Sequence, residues 1–344
     1  MRTAKRYLQV RSIDSDRLGL GNGTLTAVEG LKVGHAHDER ARTGCTVVLF
    51  EAEADTACEA RGGWPGTYDT HSIDVTKTFV KKNAIFLTGG DIFGFDTAVG
   101  IRRYLLERGM ASVTGVGKLP GIVGANIYDV EFGAVQEVQY SELGYSACLA
   151  ASSKPVAEGN VGAGMGATVG KLKGLKFACK GGCGTSAVML PEKIVVGAVV
   201  VTNALGNIYD VRSGKTIAGV RGEGRFLEFE EIIPEYPQSK LAQTNTTIGV
   251  VVTNADLSHE QLIKVAQMAH DGLAMSIRPV HMSTDGDTVF AASTARISRT
   301  REREGIVDII GYTAVRCIAD AVVRSAKAAR GLSGVPASAD LIKQ

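Results

Sequence analysis

The sequence predicts a protein that mixes strands and helices in layers, with a buried sheet at its centre. Two segments, 194–203 and 247–254, are apolar at alternating and intervening positions alike. A strand that is apolar on both faces must be covered on both, so this sheet lies under other layers. Glycine accounts for 42 of 344 residues and proline for 8, which favours short elements joined by tight turns.

The first half of the chain is expected to alternate strands with helices. CTVVLF at 45–50 and AIFLT at 84–88 are β-branched or aromatic runs bounded by turn residues, which is typical of buried strands. A helix is predicted over 95–107, because apolar residues recur there at helical spacing and Gly109 follows as a C-cap. A second helix is predicted over 141–151.

The second half carries the clearest strands and two more helices. The hexapeptide VVVTNA occurs twice, at 199–204 and 250–255, once in each of the two strands with the most apolar character. Ser258 and Gln261 form a capping-box pair ahead of an amphipathic helix. A last helix is predicted over 306–330.

Composition and charge exclude several classes of partner. Lys plus Arg number 38 and Asp plus Glu 36, so there is no basic field to draw nucleic acid through counterion release. The start, MRTAKRYLQVRSIDSDRLG, is too charged for a signal peptide, and no apolar run reaches 18 residues. We therefore expect a cytoplasmic protein without a membrane partner, whose six scattered cysteines are reduced.

Three motifs favour structural interpretations. Gly162, Gly164 and Ala167 satisfy G-x-G-x-x-A, but no strand runs directly into them and no acidic residue follows at the spacing a ribose needs. His35 and His37 with two distant cysteines match no standard zinc spacing. The Asp285-Gly286-Asp287 turn is typical of a hairpin. No cofactor and no metal are expected.

The most informative place is the junction at 243–249, QTNTTIG. The polar, turn-rich segment 211–244 is predicted to be a surface loop, and it ends abruptly at a buried strand. A threonine there can simply reflect β-propensity. If the Asn245–Thr246 bond were cut, however, Thr246 would carry both a nucleophilic hydroxyl and an α-amine of pKa about 7.7 to 8.0, a general base suited to neutral pH.

Many ordered blocks of the chain resemble the DmpA-like, or P1 family, peptidases. That family includes L-aminopeptidase/D-esterases, β-peptidyl aminopeptidases and nylon-oligomer hydrolases. The blocks are VGHAHDERARTGCTVVLFE, ARGGWPGT, LTGGDIFGFDTAVGIRRYL, GANIYD, VGAGMGATVGK, VVVTNALG, NTTIGVVVTN and HMSTDGDTVFAAST.

The resemblance implies a self-processing enzyme of the α+β class. Such chains cut themselves before a Ser or Thr and keep both fragments together in a four-layer αββα sandwich. Here the whole chain, 1–344, would form one such domain, cut into fragments 1–245 and 246–344. Processed chains of this kind are expected to form a homo-oligomer, with a tetramer as the first expectation, acting on a small peptide or amide substrate.

The resemblance also implies roles for six residues. Thr246 would be the nucleophile, Asn203 would donate its amide to the oxyanion, and Tyr128 would place a phenol near the same oxygen. Lys171, Asp285 and Asp287 would orient and tune the threonine amine and hydroxyl. These roles are chemically sound, because neutral donors stabilise an oxyanion and neighbouring charges adjust the pKa of an amine.

One position departs from the family's aminopeptidase branch. A glutamate there receives the free amino group of the substrate, and here that position is Asn126, which pairs less strongly with an ammonium. Asp96 or Glu131 could take its place. Threonine at the junction is closer to the nylon-oligomer hydrolases.

The sequence therefore predicts an N-terminal-nucleophile amide hydrolase that works through an acyl-enzyme on Thr246. Two alternatives stay open. An acyltransferase like the ornithine acetyltransferases would pass the acyl group to an amine instead of water, and an unprocessed family member could serve as a binding protein.

Overall fold

The computed structural model describes residues 23–115, 117–234 and 245–341. The amino-terminal segment used above to judge export signals lies outside these ranges. The strands are β1 Leu31–Asp38, β2 Thr43–Ala60, β3 Thr67–Tyr68, β4 Lys81–Thr88, β5 Ser112–Thr114, β6 Gly117–Leu119, β7 Ile122–Asn126, β8 Thr168–Val169, β9 Cys179–Lys180, β10 Gly182–Met189, β11 Val195–Asn203, β12 Asn207–Tyr209, β13 Thr216–Ala218, β14 Thr246–Ala255, β15 Ile277–Arg278 and β16 Thr288–Ile297. The α-helices are α1 Thr97–Glu107, α2 Tyr140–Ala150, α3 Phe229–Ile232, α4 His259–Ser276, α5 Ile306–Ala328 and α6 Ser338–Leu341.

Nine strands form one continuous hydrogen-bonded network. Their order is β10-β11-β14-β16-β2-β4-β7-β3, and β1 pairs with β2 beside this path. The 18-residue strand β2 joins the two halves of the network, because residues 45–49 pair with β4 and residues 55–60 pair with β16. Strands β14 and β16 are parallel, as are β4 and β7.

Three apolar clusters show which elements face one another. The first packs α4 and α5 against β11, β14 and β16. The second joins β11, β14 and β16 to β2, β4 and β7. The third packs α1 and α2 against β2 and β4. Val200 belongs to the first cluster while its neighbours Val199 and Val201 belong to the second, as expected of a strand buried on both faces.

The predicted mixture of strands and helices is confirmed, with element ends shifted by a few residues. The segments predicted at 84–88, 95–107, 141–151, 194–203, 247–254 and 306–330 correspond to β4, α1, α2, β11, β14 and α5. The capping box is present at the start of α4, where Ser258 accepts from the Gln261 backbone and Gln261 accepts from the Ser258 backbone. Gly109 takes a positive φ of 67° after α1, as its C-cap position requires.

Two predictions need correction in their extent. The strand predicted at 45–50 continues to Ala60, because its second half finds a further partner in β16. The loop predicted at 211–244 contains β13 and α3 in its described part, 211–234, and it buries Val220 and Ile232 in a small apolar cluster. Residues 235–244 lie outside the described residues.

None of the helices in the described ranges combines the length and apolar character needed to cross a bilayer. All six cysteines are unpaired thiols in the structure.

Candidate active site

Two strand ends place the predicted nucleophile beside the predicted oxyanion donor. Strands β11 and β14 are antiparallel, and Asn203 at the end of β11 lies opposite Thr246 at the start of β14. The residue before, Asn245, forms a parallel bridge with Asp285. The Asp285–Asp287 turn therefore borders Thr246 on the side away from Asn203.

The peptide bond between Asn245 and Thr246 lies in a buried, hydrogen-bonded position. The Thr246 hydroxyl donates to the Asn245 carbonyl oxygen, with an oxygen–oxygen distance of 2.5 Å. The backbone N–H of Gly286 donates to the same carbonyl oxygen at 2.8 Å. Only 5% of Thr246 is exposed. The hydroxyl thus lies at the carbonyl that a cut before Thr246 would require it to attack.

Asn203 is held by a buried network on both sides of its amide. Its Oδ1 accepts from the Thr168 backbone N–H at 3.0 Å and from Lys171 Nζ at 2.9 Å. Its Nδ2 donates to the Tyr128 carbonyl at 2.9 Å. Because an amide NH₂ has two donors, one N–H remains beyond the bond to Tyr128, and the network fixes the direction in which the amide points.

Lys171 is buried beside this amide and also donates to the Asn203 backbone carbonyl at 2.9 Å. Burial lowers the pKa of Lys171 to about 7, while the negative charges of Asp285, Glu131 and Asp129 oppose that shift. A lysine in this state can gain or lose its proton near neutral pH. Gly170, the residue before it, has a positive φ of 71° that favours glycine.

Asp285 is the carboxylate whose charge most strongly opposes the lowering of the Lys171 pKa. Burial and the neighbouring Asp287 together raise the pKa of Asp285 to about 7, while the charge of Lys171 opposes the rise. Its Oδ2 accepts from the Met282 backbone N–H at 2.8 Å. Lys171 and Asp285 therefore each oppose the shift that burial causes in the pKa of the other.

Asp287 contacts the residue after Thr246. Its Oδ1 accepts from the Thr247 backbone N–H at 2.6 Å, and its Oδ2 accepts from His281 Nδ1 at 2.9 Å and from the His281 backbone N–H at 3.1 Å. Both oxygens are thus engaged. The carboxylate fixes the start of β14 and holds the 281–287 turn against it.

The Asp285-Gly286-Asp287 segment does not form the hairpin turn that its sequence favours. It lies between β15 and β16, but β15 pairs with β12 while β16 pairs with β14 and β2. Gly286 is not among the glycines with positive φ. It permits close approach instead, because a Cβ there would lie 2.8 Å from the Trp64 carbonyl oxygen and 2.9 Å from Thr246 Oγ1.

A loop at 61–64 supports this turn, and the sequence analysis assigned it no role. The backbone N–H of Arg61 donates to the Asp287 carbonyl at 3.0 Å, and that of Trp64 donates to the Asp285 carbonyl at 2.8 Å. A Cβ on Gly62 would lie 2.2 Å from the Asp285 carbonyl oxygen. The double glycine in ARGGWPGT was the available signal, since it marks a close backbone approach.

Tyr128 contacts the Asn203 amide through its backbone carbonyl and lines a small cavity. The cavity, of about 10 Å³, is bordered by Glu131, Thr168 and Lys171 among others, and its size suits about one water molecule. Burial raises the pKa of the Tyr128 phenol, and the charges of Glu131 and Asp91 add to the effect. The structure thus brings Tyr128 and Glu131 to the Lys171 side of the site.

The other two predicted substrate-binding residues each lie at the end of an element. Asn126 ends β7, is buried, and packs against Gly66, where a Cβ would lie 2.1 Å from Asn126 Oδ1. Asp96 ends a short 3₁₀ turn directly before α1. Neither residue borders the cavity that Tyr128 and Glu131 share.

A second buried lysine, Lys180, was also missed. Its Nζ donates to the carbonyls of Gly164, Ala167 and Gly181 at 2.9, 2.6 and 3.0 Å. The G-x-G-x-x-A segment thus holds a lysine with its carbonyls. Burial raises the pKa of nearby Asp129 to about 6, although Gly90 and Thr43 donate hydrogen bonds to its carboxylate and Lys180 adds positive charge.

A model of peptidase family S58 matches residues 23–339. The chain belongs to peptidase family S58. An uncharacterized aminopeptidase of Mycobacterium leprae is 35% identical over 348 residues, covering 91% of this chain and 92% of the relative. A 6-aminohexanoate-oligomer endohydrolase of Paenarthrobacter ureafaciens is 32% identical over 275 residues, covering 78% of this chain and 74% of the relative.

Solved structures show the same fold. A β-aminopeptidase of a Burkholderia species superposes with a TM-score of 0.68 at 20% identity, covering 96% of this chain and 97% of that one. The L-aminopeptidase D-Ala-esterase/amidase of Ochrobactrum anthropi, described as a variant of the Ntn-hydrolase fold, gives 0.70 at 21% identity, covering 94% and 92%.

These matches confirm the predicted resemblance to DmpA-like peptidases. The family identifies this S58 protein as a hydrolase of peptide or other amide bonds, and its fold is that of Ntn-hydrolase aminopeptidases.

Proposed function

We propose that this S58 protein is a self-processing amide hydrolase whose nucleophile is Thr246. The observation that carries the proposal is the pair of contacts at the Asn245 carbonyl oxygen, from the Thr246 hydroxyl at 2.5 Å and from the Gly286 N–H at 2.8 Å. The hydroxyl is the attacking group, and the Gly286 N–H is a donor to the oxygen that becomes negative.

Self-cleavage in this proposal is an N-to-O acyl shift followed by hydrolysis. Thr246 Oγ1 attacks the Asn245 carbonyl carbon, and the electron pair of the C=O bond moves onto the oxygen that faces the Gly286 N–H. The Thr246 nitrogen then takes the proton that the hydroxyl has lost, and the C–N bond breaks. The product is an ester between Asn245 and the Thr246 hydroxyl. Water cleaves that ester, leaving an Asn245 carboxylate, a free Thr246 hydroxyl and a free α-amine.

Hydrolysis of a substrate then uses the new amine as the base. It removes the proton from the Thr246 hydroxyl as the hydroxyl attacks the substrate carbonyl, and it returns the proton to the leaving amine. The second N–H of Asn203 Nδ2, opposite Thr246 in the strand register, is the proposed donor to the oxyanion. The Tyr128 phenol is proposed as a further donor to the same oxygen. Lys171 and Asp285 tune the charge around both groups.

The three apolar clusters support a four-layer αββα arrangement, which we propose as the architecture. The first cluster packs α4 and α5 against β11, β14 and β16, the second packs those strands against β2, β4 and β7, and the third packs α1 and α2 against β2 and β4. Residues 1–344 would form one domain, and fragments 1–245 and 246–344 would stay associated after cleavage.

The proposed substrate is a small peptide or another amide. A relative is named for 6-aminohexanoate oligomers, and others are named aminopeptidases. Glu131, which borders the cavity beside Lys171, is the proposed partner for a substrate ammonium, in place of Asn126. The homo-oligomer, the tetramer and the cytoplasmic location stay predictions.

Intact mass and N-terminal sequencing of the purified protein test this proposal, with Thr246→Ala and Thr246→Ser as the matched variants. We expect a new N-terminus at Thr246 in the wild type, a similar cut in Thr246→Ser, and a single 344-residue chain with no amide hydrolysis in Thr246→Ala. A different new N-terminus, or hydrolysis by Thr246→Ala at the wild-type rate, would refute the assignment. Product release in buffer without an added acceptor excludes an obligatory acyltransferase.

A further inference from the structure

His281 lies behind Asp287 and makes two hydrogen bonds to one carboxylate oxygen. Its Nδ1 and its backbone N–H both meet Asp287 Oδ2, at 2.9 and 3.1 Å. Because a carboxylate accepts, the proton lies on Nδ1 of the imidazole. The other oxygen, Oδ1, receives the Thr247 N–H at 2.6 Å. A single carboxylate therefore connects the imidazole to the residue directly after the nucleophile.

The backbone at His281 adopts a conformation that is uncommon outside glycine. Its φ is 57°, in the left-handed region, which only a few per cent of other residues adopt, with asparagine, aspartate and histidine enriched among them. Such a conformation persists when surrounding contacts hold it in place. Here the positive φ lets the backbone N–H and the imidazole of one residue reach the same carboxylate oxygen.

The imidazole is also held from behind. Its ring packs edge-on against the ring of His270, with 4.9 Å between ring centroids. His270 is fully buried on α4, and its Nε2 lies 2.9 Å from the Glu59 carbonyl oxygen of β2. The contacts thus run from β2 through His270 and His281 to Asp287 and the start of β14.

We propose that His281 is a positioning residue of the active site. It holds the Asp287 carboxylate in place, and that carboxylate in turn holds the Thr247 N–H. The orientation of Thr246 is set by these contacts. This inference rests on the proposed role of Thr246 and adds a residue to it. The imidazole touches no reacting atom, so its effect passes entirely through Asp287.

The positive φ offers a pair of variants that separate the imidazole from the backbone. His281→Gly keeps the backbone donor and accepts the left-handed conformation without cost, but it removes the side-chain donor. His281→Asn also tolerates that conformation and restores a side-chain N–H near the position of Nδ1. His71→Asn is the control, because its side chain is 83% exposed and faces Asp74.

The measurement is kcat and KM for hydrolysis of an amino-acid p-nitroanilide that the wild type cleaves, using chains whose processing state has been checked by mass. A small displacement of a catalytic group costs up to about 10²-fold in rate. We expect His281→Gly to lower kcat about 10- to 100-fold with KM within about threefold, and His281→Asn to recover most of that loss. The control should match the wild type.

A His281→Gly enzyme with wild-type kcat would overturn the inference, and so would a His281→Asn enzyme as slow as the glycine variant. Thermal unfolding of both variants serves to show that they are folded. If His281→Gly does not fold, the asparagine variant decides, since His281→Asn at less than about a tenth of wild-type kcat contradicts the proposed donor role. Failure of the proposed role of Thr246 would be distinguishable, because it would appear as hydrolysis that survives Thr246→Ala.

Discussion

Two buried lysines, Lys171 and Lys180, differ in what surrounds them. Both have a pKa that burial lowers to about 7, and both lie close enough to Asp129 for its charge to oppose the shift. Lys180 directs its ammonium at three backbone carbonyls. Lys171 makes both of its bonds to Asn203, the residue opposite Thr246.

This difference predicts a structural role for Lys180 and a role in the proposed active site for Lys171. An ammonium has three protons, so Lys180 is saturated and has none left for chemistry. Among the residues that the structure describes, Lys171 donates hydrogen bonds to one only. It and the Asp285 carboxylate each shift the pKa of the other. A lowered pKa alone therefore does not mark a functional lysine, and the count of its acceptors is the better guide.

The largest effect should come from Lys171→Met, measured as hydrolysis by cleaved chains. Without the ammonium, the Asn203 amide loses the bond that directs it, and losing an oxyanion donor costs about 10² to 10³ in kcat. Stability should fall by less than in Lys180→Met, because two acceptor contacts are lost instead of three and Asn203 Oδ1 keeps the Thr168 N–H as a donor. A cleaved variant with normal turnover would remove Lys171 from the site.

Lys180→Met should reverse that pattern. Three carbonyls lose a shared charged donor, although those of Gly164 and Ala167 each keep a backbone N–H partner. A hydrogen bond to a charged group contributes about 1.5 to 3 kcal/mol. We expect the free energy of unfolding to fall by about 3 kcal/mol or more, measured by urea denaturation, while cleaved and folded enzyme keeps kcat within about threefold. Full stability in this variant would contradict the structural role of Lys180.

A pair of glycines sharpens the comparison further. In Gly286→Ala the new Cβ would lie 2.9 Å from Thr246 Oγ1, and we expect self-cleavage to slow about tenfold or more in a timed gel assay. In Gly166→Ala it would lie 2.3 Å from Asp129 Oδ2, and we expect about 1 to 3 kcal/mol of destabilisation with cleavage still proceeding. Normal cleavage in Gly286→Ala would argue against the close packing at Thr246.

The stability of the protein should depend on pH through both lysines. Their pKa is about 7 in the folded state and 10.5 ordinarily, so between these values the unfolded chain binds more protons. The free energy of unfolding therefore rises with pH from about 7 to about 10. In Lys180→Met that rise should be shallower, and a slope equal to the wild type's would show that Lys180 keeps its ordinary pKa.

The smallest effect concerns the rising limb of kcat/KM in Lys171→Met. The protonated lysine disfavours a protonated Thr246 amine, so its removal raises the amine pKa and moves the limb to higher pH. Because Lys171 is itself partly neutral near pH 7, the shift should be less than about one unit. Movement to lower pH would show that the lysine does not repel the amine.

The strands and helices were predictable because their apolar patterns are long and regular. The meeting of Asn203 and Thr246 was not visible in the pattern, because sequence does not state the register of two strands. Their roles came from short blocks that resemble a known family, and the strand register then placed them opposite each other.

Other parts of the site left little or no trace in the sequence. The Gly286 N–H is a backbone donor, and any residue but proline has one. Lys180 depends on carbonyls that the chain supplies from 13 and 16 residues away. The hairpin expected at Asp285 failed because local turn chemistry was outweighed by partners from other strands.

The position of β14 and β16 in the sheet bears on what a cut at Asn245–Thr246 does to the molecule. These two strands lie side by side, with β11 on one flank and β2 on the other, and both flanking strands belong to the first fragment. After such a cut, fragment 246–344 would be inserted in the sheet of fragment 1–245 and could not leave without breaking two rows of backbone bonds. Once cut and unfolded, the molecule must reassemble from two chains, so its refolding becomes a second-order process that depends on concentration.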